Sequence, residues 1–393
     1  MPDRQRRNPG SQSALRLLNQ QRILSSLVAS GPTTQADIAR STGLSAATVS
    51  NIVKALVDGG LLSTSPTTSS GRRAQLVSLS STDGAVSVGI DFGRRHVRII
   101  VATLDYRVIA ERELEIPLGH TAAEALDIAA NLLDSALVQA GVQRSAVLGV
   151  GVGVPGPIDR RTGTVVTGAI LPEWVGVTVG MVEESFELPV YLENDANLGV
   201  LAEATWGSHA GTPSVVFVKV GTGIGAGLIL NGAPYSGNIG LTGEIGHTPI
   251  YEHGLLCRCG NRGCLETVAS TTIMIELLAR ALDRPVRTRD IVRLTLEGDP
   301  RAIRVVEDAG SAVGRSIAAI TNLINPQTII VGGPLTGLGE MLLGPIRSGL
   351  ERYAVPMIVE TTELVMSSLG ERAEALGGAA LVLQQSGIHS TVS

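Results

Sequence analysis

The sequence predicts an α/β protein in two parts: a winged helix-turn-helix head and a duplicated, actin-like (ribonuclease H-like) body. Three observations predict it. Residues 1–80 read as three short amphipathic helices followed by a β-hairpin. From Val86 the pattern changes to short apolar strands interleaved with helices, and the strand–turn–strand unit opening this body recurs halfway along it. Aromatic residues are 3% of the chain while hydrophobic residues are 44%, so the cores must be built from Val, Leu, Ile and Ala, as α/β layers are.

A chain of 393 residues has room for two or three domains. The expected division is a head over 1–80 and a body over 81–393. The body divides into lobes of approximately 81–200 and 201–393, with a variant in which the C-terminal helix returns to the first lobe. The three cysteines cannot make a disulfide framework, and reduced thiols suit the cytosol. The basic N-terminus, "MPDRQRRNPGSQSAL", is followed by no apolar signal region. No apolar run approaches the ~20 residues of a membrane-spanning helix. These features predict a soluble, cytoplasmic protein without a membrane partner.

Charge separates the two parts. Residues 1–80 carry nine Arg and Lys against three Asp, a net +6, which leaves −11 on the remainder of a chain whose net charge is −5. A basic head on an acidic body points to a polyanion as the head's partner. In "QQRILSSLVAS", Ile23, Leu24, Leu27 and Val28 recur at helical spacing. "TTQADIARSTGL" offers Thr34 as an N-cap, a short helix, and Gly43 as its stop. In "SAATVSNIVKALVDGGLL", Ser45 caps a third helix that buries Val49, Ile52, Val53 and Leu56. The tight joint at Gly43-Leu44 is the helix-turn-helix pattern.

The opposite face of the third helix is small or polar and has no acidic residue before Asp58, as contact with a phosphate backbone requires. "GGLLSTSPTTSSGRRAQLVSLS" then reads as strand, turn and strand, a wing with Arg72 and Arg73 at or near its tip. Double-stranded operator DNA is therefore the expected partner. Thr48, Ser50 and Asn51 are expected at base edges, and Lys54, Arg72 and Arg73 at backbone or minor groove. Thr34, Gln35, Ser45 and Ala46 complete the expected interface. A protein-docking three-helix module is the alternative.

The body opens on three strands, "AVSVGIDFG", "HVRIIVATLD" and "RVIAERELEI". A long helix, the buried strand "AVLGVGVGVPGPID", a further helix, and the strand-to-helix segment "LPVYLENDANLGVLAEATWG" follow. "SVVFVKVGTGIGAGLILNG" restarts the scheme, and "NPQTIIVGGPL" delivers a strand into a Gly-Gly turn. Two such halves place a ligand in the cleft between them.

All three cysteines lie in "CRCGNRGC". The C-x-C-x4-C spacing brings three soft thiolate ligands to one tetrahedral ion, and Gly260 and Gly263 permit the bends. One structural Zn2+ per chain is expected, with Cys257, Cys259 and Cys264 as ligands and a histidine as the fourth. His253 is the nearer in sequence.

"GVGVGVPGPID", "LENDANLGVLAE", "GTGIGAGLILNG", "GEIGH", "CRCGNRGCLE" and "NPQTIIVGG" together resemble the ROK family of bacterial sugar kinases and sugar-responsive repressors, over about residues 86–385. The winged head matches the regulator branch. The resemblance implies that His247 of "GEIGH" is the fourth metal ligand. It also implies that Asp195 stands where the kinases keep the general base for a sugar hydroxyl, with Asn194, Glu244, His247 and Glu266 as further sugar contacts.

The sequence departs from the kinases at the phosphate turns. Their D-x-G-G-T-K-like turn reads Asp91-Phe92-Gly93-Arg94-Arg95-His96 here, and bulky residues there oppose close backbone approach to phosphate. The second turn, Gly221 to Gly227, is interrupted by Ala226, and Ile170 stands where a sugar-binding Asn is found in the family.

The combined expectation is a non-enzymatic transcriptional regulator, a repressor of carbohydrate-metabolism genes. A sugar or sugar phosphate would control its DNA affinity, and it would act as a homodimer or homotetramer. A sugar kinase with a DNA-binding head, and a constitutive repressor with a ligand-free scaffold body, are the alternatives.

Overall fold

The computed structural model describes residues 19, 22–23, 26–27, 31–58, 62–69, 72–79, 85–166 and 171–385. Leu24, Val28, Gly71 and Ile170 lie outside these residues. The head contains β1 (Thr33–Thr34), α1 (Gln35–Thr42), α2 (Ala46–Asp58), β2 (Leu62–Ser69) and β3 (Arg72–Leu79). Thr34 caps α1 by accepting from the Asp37 amide, and Gly43 ends it at φ 69°, the left-handed position that glycine takes without strain. Ser45 accepts the Thr48 amide at 3.1 Å and so caps α2. Val49, Ile52, Val53 and Leu56 turn inward with Ile23, Ile38, Leu62 and Val77 to form the head's core. The wing is the antiparallel pair β2–β3, closing with Ser69 opposite Arg72. Thr33 and Thr34 add a short third strand against Val77 and Leu76, a pairing too brief for any periodicity to announce.

The first part of the body comprises β4 (Val86–Phe92), β5 (His96–Thr103), β6 (Val108–Glu115), α3 (Ala122–Ala140), β7 (Val147–Val154), the small hairpin β8 (Ile158–Asp159) and β9 (Thr164–Val165), α4 (Val179–Phe186), β10 (Val190–Asn194) and α5 (Asp195–Trp206). The second comprises β11 (Val215–Val220), β12 (Ile224–Leu230), β13 (Ala233–Pro234), α6 (Glu266–Ala269), α7 (Thr271–Leu282), α8 (Thr288–Leu296), α9 (Pro300–Ile324), β14 (Thr328–Gly332), α10 (Glu340–Tyr353), α11 (Pro356–Thr361), β15 (Glu363–Met366) and α12 (Ala373–Gln385).

The sheets repeat one plan. The first runs β6-β5-β4-β7-β10 and the second β13-β12-β11-β14-β15. In each, three antiparallel strands are followed by two parallel ones. The parallel strands need crossovers, which α3 and α9 supply. Each sheet has its own apolar core, one built around Val88, Ile90, Val150 and Val152 and the other around Val216, Val218, Ile329 and Val331.

Two helices join the sheets. The last helix, α12, lies on β4 and β7 of the first sheet, while α5 lies on β11 and β12 of the second, and α5 and α12 pack against each other. Glycines set the spacing. A Cβ at Gly151 would stand 2.0 Å from the Gly378 carbonyl oxygen, and one at Gly377 would stand 1.9 Å from that of Leu198. Backbone therefore meets backbone at the joint between the sheets.

Gly151→Ala should accordingly destabilise the protein by about 1–3 kcal/mol, the usual cost of overpacking. Gly344→Ala, inside α10 where an added Cβ meets nothing within 4 Å, should be neutral or stabilising by up to about 1 kcal/mol. Urea unfolding of the two variants checks the contrast.

Candidate functional site

The metal cluster is assembled from two loops. Glu244 precedes a single helical turn over Ile245–His247. The cysteine loop is closed by hydrogen bonds from the Cys257 amide to the Asn261 oxygen at 2.7 Å and from the Gly260 amide to the Cys257 oxygen at 3.0 Å. Gly263 is required at its tight end, since a Cβ there would lie 1.7 Å from the Tyr251 oxygen. The donor atoms of His247, Cys257, Cys259 and Cys264 all lie within 4.8 Å of one another. His253 is not in the cluster.

The spacings fit a tetrahedral ion. Cys259 and Cys264 have Sγ atoms 3.7 Å apart, and two Zn–S bonds of ~2.3 Å at a tetrahedral angle span about 3.75 Å. Cys257 Sγ lies 3.5 Å from His247 Nδ1, against about 3.6 Å for one Zn–S and one Zn–N bond. Burial and the neighbouring thiols push Cys264 up to about 12; a cation would reverse that penalty. With Nδ1 turned to the cysteines, His247 Nε2 faces Glu244 Oε2 at 3.9 Å. One imidazole thus has a nitrogen for the metal and another for the cleft.

Beside the cluster is a small cavity of about 40 Å3 lined by Asn194, Asp195, Lys219, Glu244, His247, Arg258 and Glu266 among others. All five residues expected to hold a sugar therefore meet at one place. Three of the five, Asn194, Asp195 and Glu266, are already engaged by partners. Asn194 caps α5, accepting from the Ala196 amide at 2.9 Å, and donates to the Gly156 oxygen at 3.0 Å. The helix cap is thus Asn194, while Asp195 opens the helix. Asp195 Oδ2 accepts from Lys219 Nζ at 2.9 Å. Glu266 is paired with Arg258 from the cysteine loop. Glu244 stands apart: burial, with the negative charges of Asp195 and Glu266, pushes its carboxyl up to about 7.

A second cavity of about 420 Å3 adjoins the first and shares Asp195, Lys219 and Thr222 with it. At its wall is the first turn that departs from the kinases. Arg95 is exposed and Arg94 half-buried, and both line the cavity. The group that fills the turn is His96: a Cβ on Gly93 would lie 2.1 Å from its ring. Its Nε2 is 2.8 Å from Asp91 Oδ2. Burial opposes charging the imidazole, but Asp91 holds its pKa above the usual histidine range.

The second turn needs a correction. Only Gly221–Gly223 forms the turn; Ala226 is a buried residue inside β12 whose amide donates to the Gly243 oxygen at 2.8 Å. Gly227 is glycine because the Ala196 oxygen of α5 would be 2.2 Å from a Cβ. Ala226 therefore says nothing about phosphate.

On the head, Ser45, Ala46, Ser50, Asn51 and Lys54 are exposed on one side of α2, and Thr48 and Gln35 are half-buried beside them. Thr34 is 7% exposed and committed to its cap, so it supports this surface from beneath. Arg72 and Arg73 begin β3 at the wing's closed end.

Sequence reasoning missed three groups that shape the site: Lys219, Arg258 and Glu374. The lone cation in "VVFVKV" was the available signal for Lys219. Arg258 lay in view between two cysteines. Glu374 is buried in α12, where Lys219 approaches it at 3.0 Å, and nothing local in "GERAEALGG" marks it.

Comparison with known proteins places these features. The family described as ROK family matches residues 87–385, and the MarR family matches residues 17–73. A putative xylose repressor of Caldicellulosiruptor sp. (strain Rt8B.4) is 30% identical over 390 residues, covering 95% of this chain and 97% of that protein. A glucokinase of Halalkalibacterium halodurans is 32% identical over 314 residues, covering 76% of this chain and 95% of the enzyme. Among solved structures, a ROK family transcriptional regulator described as a homolog of the E. coli MLC protein superposes with a TM-score of 0.76 at 25% identity, covering 95% of this chain and 97% of that one. No helix among the described residues is long and apolar enough to cross a membrane.

Two outcomes follow from the geometry. Purified full-length protein should hold about one tightly bound metal ion per chain by elemental analysis; Cys259→Ser should lose it and His253→Ala should keep it. Separately, burial lifts Glu374 to about 7 despite the opposing pull of Lys219. The folded state then retains a proton that the unfolded chain gives up near its ordinary value of 4.5. Stability should fall as pH rises from about 4.5 through about 7, and Glu374→Gln should flatten that part of the profile in pH-dependent urea melts.

Proposed function

The chain belongs to the ROK family, and from that membership we propose that it is a DNA-binding transcriptional regulator, a repressor of carbohydrate-metabolism genes. A sugar or sugar phosphate in the body's cleft sets its affinity for double-stranded operator DNA. One observation carries the reading: a single chain joins a winged head, with an exposed acid-free recognition face, to a cleft where five sugar-suited side chains converge. The likeness to a xylose repressor runs through both parts, covering 95% of the chain, while the glucokinase likeness covers 76%.

In this reading Thr48, Ser50 and Asn51 meet base edges, flanked by Gln35, Ser45 and Ala46, and Lys54, Arg72 and Arg73 neutralise phosphate or enter the minor groove. Asn194, Asp195, Glu244, His247 and Glu266 bind the sugar, whose paired hydroxyls suit fixed carboxylates and an imidazole. The metal is zinc, on the strength of the three-sulfur, one-nitrogen donor set. With all four positions taken by side chains, zinc supplies fixed bonds and charge neutralisation there. Cys257, Cys259, Cys264 and His247 thereby hold Glu244 and Glu266 in register.

The protein is a sensor without phosphoryl transfer. Positioning of the γ-phosphate is most of that chemistry, and the His96 ring over Gly93 fills the turn that would cradle it. Retention of Asp195 and the glucokinase likeness favour the kinase as the second reading. Paired half-sites require paired heads, so the working form is a homodimer or homotetramer.

DNA selected by the full chain from a random duplex library tests the head. Asn51→Ala should relax preference at one base position by about 1–3 kcal/mol. Arg72→Ala should weaken all sequences alike and flatten the salt dependence. Glu244→Ala should abolish the effect of sugar on DNA affinity and leave sugar-free binding intact. An ADP-release assay over aldopentoses, aldohexoses and their phosphates should stay at background. ATP-dependent phosphorylation that disappears in Asp195→Ala promotes the kinase instead.

A further inference from the structure

The cleft contains a cation that neither the metal cluster nor the DNA-binding head requires. Lys219 projects from β11 between Val218 and Val220, both fully buried. Its Nζ lies 2.9 Å from Asp195 Oδ2 and 3.0 Å from Glu374 Oε1. The three side chains are 17%, 10% and 3% exposed. Burial favours a neutral amine, yet the charges of Asp195, Glu374 and Asp91 hold Lys219 well above the ordinary lysine range. It stands as an ammonium ion.

Its position in the fold gives this ion pair leverage. Lys219 belongs to the second sheet. Glu374 sits in the first turn of α12, which is packed on β4 and β7 of the first sheet. Asp195 begins α5 at the end of β10, the edge strand of the first sheet. One ammonium on the second sheet therefore holds α12, which packs on the first sheet, and the junction where β10 of the first sheet passes into α5; Lys219 and Asp195 line both cavities, and Glu374 lines the larger. The ammonium also occupies the carboxylate that the family resemblance assigns to sugar chemistry. Oδ1 of Asp195 accepts the Ala196 amide at 2.8 Å, and Oδ2 holds Lys219. If Asp195 took a proton from a sugar hydroxyl, the buried ammonium would be left facing a neutral acid.

We propose that Lys219 is a built-in counter-ion that locks the sugar-free cleft by tying Asp195 and Glu374 to the second sheet, and that an entering sugar competes with it for Asp195. The competition rests on the cleft being the sugar site; the lock does not. A lock of this kind favours one cleft state and lowers the apparent affinity of a ligand that needs the other. Sugar binding is thereby made to carry a change in the relation of the two sheets, as a signal to the head requires.

The test uses the full-length chain. Lys219→Met keeps the length of the side chain without its charge. Because it strands two buried carboxylates, Lys219→Met combined with Glu374→Gln is the second variant, which removes charge from both sides. The first readout is hydrogen–deuterium exchange without sugar. Amides in the first turns of α5 and α12 should exchange at least about tenfold faster in the double variant, while those of α2 in the head stay unchanged. The second is calorimetry with D-xylose and D-glucose, in which any sugar bound by the wild type should bind the double variant at least about fivefold more tightly. A lysine that merely filled space would not yield tighter binding on removal. Unchanged exchange overturns the lock. Faster exchange with unchanged sugar binding overturns the competition, and faster exchange with weaker binding overturns it and makes Lys219 a direct sugar contact. If the wild type binds no sugar at all, the sugar reading falls, and the lock stands or falls on the exchange data alone.

Discussion

The contact of α12 with α5 and the first sheet is the constraint on which the cleft depends. Gly89, Gly151 and Gly377 let backbone approach backbone, with added Cβ atoms falling 1.7 to 2.0 Å from facing carbonyl oxygens. At such distances no side chain cushions the joint, and backbone is packed directly on backbone there. The polar floor of the cleft sits beside this joint: Asp195 opens α5 and Glu374 lies in the first turn of α12.

The metal loop complements that joint from the other side of the cleft. It turns His247 Nδ1 toward Cys257 and Nε2 toward Glu244, and it carries Arg258 to Glu266. The three carboxylates proposed to meet a sugar are thus held by different means. Asp195 has an ammonium, Glu266 a guanidinium, and Glu244 is buried beside two like-charged neighbours. The small cavity of about 40 Å3 must widen before a sugar ring is accommodated, since small-molecule pockets are typically about 300–1,000 Å3.

Much of this was legible in the sequence, and the rest failed for identifiable reasons. The head follows from local rules, namely Thr34 and Ser45 as caps, Gly43 as a stop, and Val49, Ile52, Val53 and Leu56 on one face. The duplicated body follows from repeated strand hairpins. The cysteine spacing marks a metal loop by itself, but the choice of His247 over His253 came from the family resemblance, because spacing favours the nearer residue. Ala226 belongs to a strand and not to the turn, and a glycine run does not reveal where a turn ends and a strand begins. Lys219 stood visible in an apolar strand, yet its partners are 24 residues before it and 155 after it in the sequence, a separation no local pattern bridges.

In the proposed regulator, one ligand in the cleft and DNA on the head bias the same equilibrium. Linkage makes this reciprocal: if sugar changes DNA affinity by some factor, DNA must change sugar affinity by the same factor. The most direct measurement is the dissociation constant of the effective sugar for the full-length protein, determined by calorimetry free and again saturated with its selected DNA duplex. The account predicts values that differ by about tenfold or more, matching the factor by which that sugar shifts DNA affinity. Equal sugar affinities in the two states would contradict it.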